Sequence, residues 1–536
     1  MASKIINKGL KRTALSVALG MCFAGSVYAQ SNSTGSIAGT TTAGATVTID
    51  NEATGLHREV TANADGSYRV GSLATGSYKV TAGGQSKTVN VTIGGTASLD
   101  TVTVQGNNTA INAIDVASVE STTILTAEQI GKIPVPRDIT SVALLAPGTV
   151  KGDAAFGNLA SFGGGAVSEN QYFVNGFNIS NSFKNLNFGQ VPFEAIAEQQ
   201  IKTGGYGAEF GRSTGGVINL VTKRGSNEFH AGGNIFYAPE SLRGHNPDVY
   251  YTDARYPDGQ RHISDNSKDT LGQTVSGSVW ASGALVQDRL FAYALIQYAR
   301  TTGRDNYGSI FSVNNTSISQ TVPTWLVKLD WNINDSHILE LTAFSDKIKQ
   351  ETRIYSNAQA SKSTSNLGPR NCTAAGPDLD PGPGVTYCVP GQTAPNPPLT
   401  PATTDLSTDL ALIRTGELGT VFDESGGNSY SLKYTGYLTD NFTLSALYGH
   451  GESSRANYGI SSGGIRAEYD GTVGGAVAGC PVIASTVGII PPSCWFVAAT
   501  GNNLGVIGAN DQRDQFRIDA EWALGDHLLR FGIDTD

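Results

Sequence analysis

The chain has 536 residues, a length that ordinary domain sizes divide into three or four units, although a large β-barrel can run long as one. Its 65 glycines, 20 tyrosines and 19 phenylalanines, against 2 methionines and 15% charged residues, suit many strands joined by glycine-rich turns better than amphipathic helices. A net charge of -10 excludes the basic footprint that nucleic acid requires, so no nucleic-acid partner is expected.

Lys4, Lys8, Lys11 and Arg12 precede an apolar run from Ala14 to Ala24, and Val27-Tyr28-Ala29 stands before Gln30. This is the three-part pattern of a secretory signal over residues 1–29, with a run too short to span a bilayer permanently. The mature chain is expected to start at Gln30, outside the cytoplasm. Residues 30–104 read as a small β-sandwich of seven short strands: Ala45–Ile49, Ser67–Val70 and Ser77–Val80 alternate, and Asp65-Gly66 suits a type I′ hairpin. His57, the only histidine of the segment, lacks the convergent partners a metal ligand needs. Ala64-Asp65-Gly66-Ser67-Tyr68 followed by Leu73-Ala74-Thr75-Gly76-Ser77-Tyr78 resembles the carboxypeptidase regulatory-like domain, which implies an immunoglobulin-like fold without catalytic residues.

Asp100, Thr101, Val102, Thr103, Val104 and Gln105 alternate as a strand would and stop at Gly106. Alone they read as a last sandwich strand. Placed ahead of a linker over 105–120, they resemble the TonB box, the segment by which TonB-dependent receptors are gripped. Such a grip works by strand pairing, which transmits force through main-chain hydrogen bonds and asks little of the side chains.

Residues 121–225 change to a mixed α/β texture. Prolines 134 and 136 and the pair Pro147-Gly148 bracket a helix expected over Arg137–Leu145. Gln171–Val174 reads as a strand entering an Asn175-Gly176 turn, and Pro192–Ile196 as a short helical entry. The run Lys202-Thr203-Gly204-Gly205-Tyr206-Gly207-Ala208-Glu209-Phe210-Gly211, followed by Gly215-Gly216-Val217-Ile218-Asn219-Leu220-Val221-Thr222-Lys223, resembles the terminal motif of the plug domain of TonB-dependent receptors. A phosphate loop is the rival reading. Phe210 occupies the third glycine position of a dinucleotide fingerprint, however, and no Lys-Ser or Lys-Thr follows in P-loop spacing. Tight turns and close backbone packing inside a barrel account for these glycines instead.

Residues 226–536 read as about nine long amphipathic strands. Trp325, Val327, Leu329, Trp331 and Ile333 alternate with Thr324, Lys328, Asp330 and Asn332, and Phe516, Ile518, Ala520 and Trp522 alternate with Arg517, Asp519 and Glu521. Apolar-out and polar-in over about ten residues is the pattern of a strand between lipid and a watery lumen. Tight turns are expected at 287–288, 334–335, 439–440 and 525–526, facing the periplasm. Long extracellular connections are expected at Pro239–Lys268, Thr301–Ser319, Ile354–Gly426 and Ser454–Asp511. Cys372 with Cys388 and Cys480 with Cys494 each lie within one such loop and are disulfide candidates in an oxidising compartment; no histidine stands at metal-ligand spacing beside them. Loop tyrosines such as Tyr250, Tyr251 and Tyr256 could meet a ligand, but nothing fixes which one.

The expected fold is an all-β membrane barrel, incomplete and part of a 22-stranded one, with an α/β plug and an N-terminal immunoglobulin-like β-sandwich. Nine strands cannot close around a plug of this size, so the sequence is read as a fragment. The resemblance, Oar-like in having a sandwich ahead of the plug, implies an outer-membrane receptor and transporter worked by TonB with ExbB and ExbD. It further implies an extracellular ligand, contact with outer-membrane lipid, insertion by the barrel-assembly machinery and a periplasmic N-terminal domain. An adhesion or envelope-structural protein on the same scaffold is the alternative. No cofactor, metal or enzymatic activity is expected, since no catalytic or metal-ligand motif stands in the chain.

Overall fold

The computed structural model describes residues 33–99, 120–153, 159–182, 185–244, 270–306, 314–357, 414–461, 510–524 and 527–536, together with short strands at 249–250, 262–264, 465–467, 483–485 and 488–489. The Asp100–Gln105 segment and all four loop cysteines lie outside the described residues.

The first unit is a sandwich of seven strands: β1 (Gly35–Thr40), β2 (Thr46–Asn51), β3 (Leu56–Thr61), β4 (Ser67–Leu73), β5 (Gly76–Ala82), β6 (Gln85–Val91) and β7 (Thr96–Leu99). One sheet runs β4-β1-β7 and the other β3-β2-β5-β6. Alternation drives it: along β3, Leu56, Arg58 and Val60 are buried while His57, Glu59 and Thr61 are exposed, as a two-residue side-chain period requires. Tyr78, buried between the sheets, donates its hydroxyl to the Ala74 carbonyl at 2.9 Å, which satisfies the one polar atom of a large apolar side chain. The Asp65-Gly66 turn is not type I′. Only Gly66 has positive φ (82°), its N–H donates to Asn63 O, and Asn63 N–H donates to Ser67 O. That is a longer loop with glycine in the left-handed position, which Asp65 fixes by accepting from Ser67 N and Oγ.

The second unit is a five-stranded sheet in the order β12-β11-β14-β13-β8, from β8 (Ser121–Thr126), β11 (Gln171–Val174), β12 (Phe177–Asn178), β13 (Ile196–Gly204) and β14 (Val217–Thr222); β9 (Thr149–Lys151) and β10 (Ala160–Phe162) pair separately. All six residues of β14 are buried, as a central strand covered on both faces must be. The expected helix is shorter, Ile139–Ala143, because Asp138 is its N-cap and accepts from Ser141 N at 2.7 Å. A second helix, Ala127–Lys132, starts at a Thr126/Gln129 capping box that the sequence reading passed over. Asn175 and Gly176 both have positive φ (49° and 94°), so the expected Asn-Gly turn has the backbone signs of type I′. The Pro192 entry is a single turn of 3-10 helix, Phe193–Ala195.

Around this unit curls one antiparallel sheet. Its long strands are His230–Ala238, Thr270–Val286, Leu290–Asn306, Asn314–Asn334, Phe442–Ser461, Asn510–Leu524 and His527–Thr535, with two more, each interrupted once: His337–Ser345 with Ile348–Asn357, and Arg414–Gly426 with Asn428–Thr439. Trp325 and Trp331 are exposed whereas Thr324, Leu326, Lys328 and Asp330 are buried, so the expected faces are correctly assigned. Ala520 departs from the pattern by being buried, flanked by the larger Leu444 and Phe531 on the neighbouring strands. The expected loop Thr301–Ser319 is mostly strand: Thr301 pairs with Gln320 and Asn306 with Thr316. The expected loops Ile354–Gly426 and Ser454–Asp511 likewise begin or end in paired strand. The reason is length. A strand of 17 residues rises about 55 Å, far beyond an apolar band of about 25 Å even when tilted, so polar residues continue the ladder past the membrane.

Candidate functional site

The plug is mounted on the barrel by two unlike contacts. In one, its apolar core is continuous with the wall: Ile201, Ile218 and Leu220 share a buried cluster with Tyr293, Leu295, Leu326 and Phe344, and Trp280 packs against it. A few residues along the same pair of wall strands, past the Leu326–Phe344 pair, the contact is polar. Arg224, just beyond β14, donates to Asp330 at 2.7 Å and to Glu340 at 2.8 Å. Lys328 stands 3.5 Å from Glu340 and 3.8 Å from Asp330, and Lys433 stands 3.6 Å from Glu340. Three cations thus surround two carboxylates inside the lumen, the arrangement that lets charges stay ionised away from bulk water. Beside them Asn175 bridges Thr222 of the plug and Thr342 of the wall at 2.8 and 2.9 Å. Two adjoining clefts share Arg224 and Glu340 in their linings.

A third anchor lies higher. The strand interruption at Asp346 faces the one at Gly427, and the Asp346 carboxylate accepts from Gly427 N and from Gln190 N of the plug, each at 2.8 Å. Interruptions of this kind re-aim side chains beside working surfaces.

The plug edge that follows the linker is β8. Its first residue pairs with Gly204 and its last with Glu198 of β13. Glu120, immediately before β8, forms an ion pair with fully buried Lys202, whose ammonium also sits 5.1 Å above the Phe210 ring. Glu198 is buried and accepts from Ile93 N of the sandwich at 2.8 Å. Burial pushes its carboxyl up to about 7 against the opposing effect of that hydrogen bond. Burial likewise lowers the Lys223 ammonium, which lies 5.9 Å from the Trp280 ring.

The glycine motif divides. Gly205 has φ of 70°, which excludes most side chains. A Cβ on Gly216 would stand 2.3 Å from the Phe162 ring, and one on Gly215 would stand 2.7 Å from Asn170 Oδ1. Gly207 would meet only the flexible Glu209 side chain, and Gly204 and Gly211 have room, so close packing does not explain those two. Asn219 is fully buried and donates to Gln200; Lys223 N donates to Ala195 O at 2.7 Å. Sequence reasoning missed the Arg224 cluster, the Glu120–Lys202 pair and Glu198. Lys328, Asp330, Glu340 and Lys433 carried a signal, because ionisable residues within a membrane-type strand call for partners in the interior. His57 sits on the exposed sandwich face against Asp50 at 2.5 Å and Glu59 at 3.3 Å; the Asp50 hydrogen bond raises its imidazole above the ordinary range.

A mixed-sheet plug fastened inside a curled sheet of lipid-type strands defines a class: plugged outer-membrane receptors. The TonB-dependent receptor plug domain matches residues 115–217, and the carboxypeptidase regulatory-like domain matches residues 27–105. The TonB-dependent transporter Oar of Myxococcus xanthus is 30% identical over 274 residues, 45% of this chain and 25% of that protein. The chain accordingly carries a TonB-dependent receptor plug domain behind a carboxypeptidase regulatory-like domain, and is similar over part of its length to the Oar transporter. It spans about a quarter of the length of the curated relative it matches. That class comprises receptors and transporters rather than enzymes. Among solved structures, a variant of the ferric enterobactin receptor PfeA of Pseudomonas aeruginosa is 15% identical, with a TM-score of 0.40 over 77% of this chain and 48% of its own. The siderophore receptor PirA of Acinetobacter baumannii is 18% identical, with a TM-score of 0.38 over 75% and 45%.

Proposed function

We propose that the chain works as an importer. An extracellular ligand binds the loops and the outer face of the plug. TonB, energised through ExbB and ExbD, pairs with Asp100–Gln105 and pulls, and the plug rearranges to let the ligand through. One observation carries this reading: the Glu120–Lys202 pair and edge strand β8 are the first plug features that tension on the linker would reach, while polar contacts hold the plug to part of the wall. Edge strands can be stripped without opening a sheet at its centre, and hydrogen-bonded polar contacts can exchange partners with water at modest net cost. The sandwich touches the barrel near its short turns, the end assigned to the periplasm in such barrels; the N-terminal domain is thus periplasmic, and the exposed apolar residues face outer-membrane lipid after delivery by the barrel-assembly machinery. The Cys372–Cys388 and Cys480–Cys494 pairs would brace outward loops as disulfides.

The test is fluorescence anisotropy of a labelled peptide covering Leu99 to Asn107 with the periplasmic domain of TonB from the same organism. Saturable binding, abolished by Val102→Pro, is expected from strand pairing. Absence of binding at near-millimolar TonB would remove the mechanical link and contradict import.

A further inference from the structure

The sandwich lies across the short-turn end of the wall. Asn227, ahead of the first barrel strand, donates its N–H to Ala53 O at 2.7 Å, Asn332 donates to Thr54 O at 3.1 Å, and Tyr437 donates its hydroxyl to Ser72 O at 2.8 Å. Gly55 faces Asp288, and Gly71 faces Glu521, so closely that a Cβ on either would strike that carboxylate side chain. Asp288, Asn332, Tyr437 and Glu521 belong to four successive hairpins of the barrel and stand near the short-turn end of each. Tyr437 and Ile338 are also buried in the sandwich's own apolar cluster, with Ile49, Leu56 and Tyr78. On the plug side, Ile93 N–H donates to Glu198 Oε2 at 2.8 Å and Ile93 O accepts from Gln200 Nε2 at 3.2 Å.

What the sandwich covers is the Arg224 cluster. Ser33 and Thr75 line the first cleft together with Lys433 and Ser431, and Thr34 and Tyr78 line the second together with Asp330. Lys433 donates to Ser33 Oγ at 2.7 Å, so the sandwich touches the cluster itself. The side chains of Lys328 and Asp330 are 4% and 3% exposed. Opposite charges attract far more strongly where little water lies between them. A cover over the cluster therefore sets how strongly the plug is held there.

We propose that the sandwich is a lid over this polar contact. Seated, it walls the Arg224 cluster off from periplasmic water and closes the short-turn end of the cleft between plug and wall. Lifted, it admits water to the cluster, loosens the plug there and opens the way out for a ligand. The last step rests on the transporter reading above; the first two do not. The seat suits a part that moves, because most of its contacts are single hydrogen bonds that water can replace.

The experiment uses the full chain in lipid nanodiscs, with the four loop cysteines replaced by serine and one reporter, Ser431→Cys, which is buried and lines the first cleft. Its rate of reaction with iodoacetamide reads whether the cleft is covered. Tyr437→Ala with Asn332→Ala loosens the barrel side of the seat, and Glu198→Ala with Gln200→Ala loosens the plug side, away from the reporter's own strand. Ser345→Cys, buried beside the Asp346 anchor, is the control for a general opening. The reporter alone should react slowly, and each pair should speed it about tenfold or more while leaving Ser345→Cys slow. Amides of β14, which leads into Arg224, should exchange faster in both pairs. Fast reaction with the seat intact, an unchanged rate in either pair, an equal rise at Ser345→Cys, or unchanged exchange in β14 would each overturn the lid. Neither reaction nor exchange needs TonB or a ligand, so failure of the transporter reading shows elsewhere, as a TonB peptide that does not bind.

Discussion

Two neighbouring stretches of the wall that faces the plug differ in kind. The stretch formed by Leu290–Asn306 and the neighbouring part of Asn314–Asn334 presents Tyr293, Leu295 and Leu326, which merge with the plug's own core. The stretch formed by Asp330, Glu340, Thr342 and Lys433 presents charges and hydroxyls that meet Arg224 and Asn175. An apolar contact loses its whole value when it opens to water, whereas a polar one exchanges partners and keeps much of it. The plug is therefore held firmly at Leu326 and Phe344 and releasably at Asp330 and Glu340, four residues along the same two strands.

Predictions follow in order of size. Leu326→Ala should cut deepest, destabilising the seated plug by about 2–5 kcal/mol through lost burial and a cavity at the apolar wall; faster hydrogen exchange in β13 and β14 is the readout. A change confined to the barrel strands would contradict the shared core. The sandwich side comes next. Glu198 has its carboxyl raised to about 7, so the arrangement that buries it is most favoured below the ordinary carboxylate range near 4.5. That advantage is lost as pH rises toward and through 7, an effect on the order of 2–3 kcal/mol. Exchange at the Ile93 amide should thus be slower at pH 5 than at pH 8 after correction for the intrinsic rate, and Glu198→Gln should flatten the profile. Arg224→Ala should have the smallest effect, about 1–2 kcal/mol, because Lys328 and Lys433 still face Asp330 and Glu340 and no carboxylate is stranded. Its cost should shrink in high salt; an effect as large as that of Leu326→Ala would mean that the polar wall carries the plug after all.

What the sequence disclosed and what it hid divide along physical lines. Alternation of period two is local, so the faces of the strand around Trp325 and Lys328 and the seven sandwich strands could be read directly. The Asn175-Gly176 turn was legible because it needs two residues of positive φ and has them. Asp65-Gly66 misled because a dipeptide does not reveal the loop length around it, which Asn63 and Ser67 set. Strand ends were misplaced at Thr301–Ser319 because a polar ladder continuing beyond the membrane looks like a loop in composition. The Arg224 cluster joins residues about 100 to 200 positions apart, and Ile93 meets Glu198 across a separate unit. Such pairings follow from barrel register, which no local pattern records.

The proposed import requires the plug to move when TonB pulls. Ile201 is fully buried in the apolar core that plug and wall share, which makes it a reporter of that core opening. With the four loop cysteines replaced by serine, Ile201→Cys would be exposed to a membrane-impermeant maleimide in cells with an energised inner membrane and again after a protonophore. Labelling that requires ligand and energised TonB, and that stops when Val102→Pro is added, is the predicted result. Equal labelling in both states, or none in either, would contradict a plug that TonB displaces.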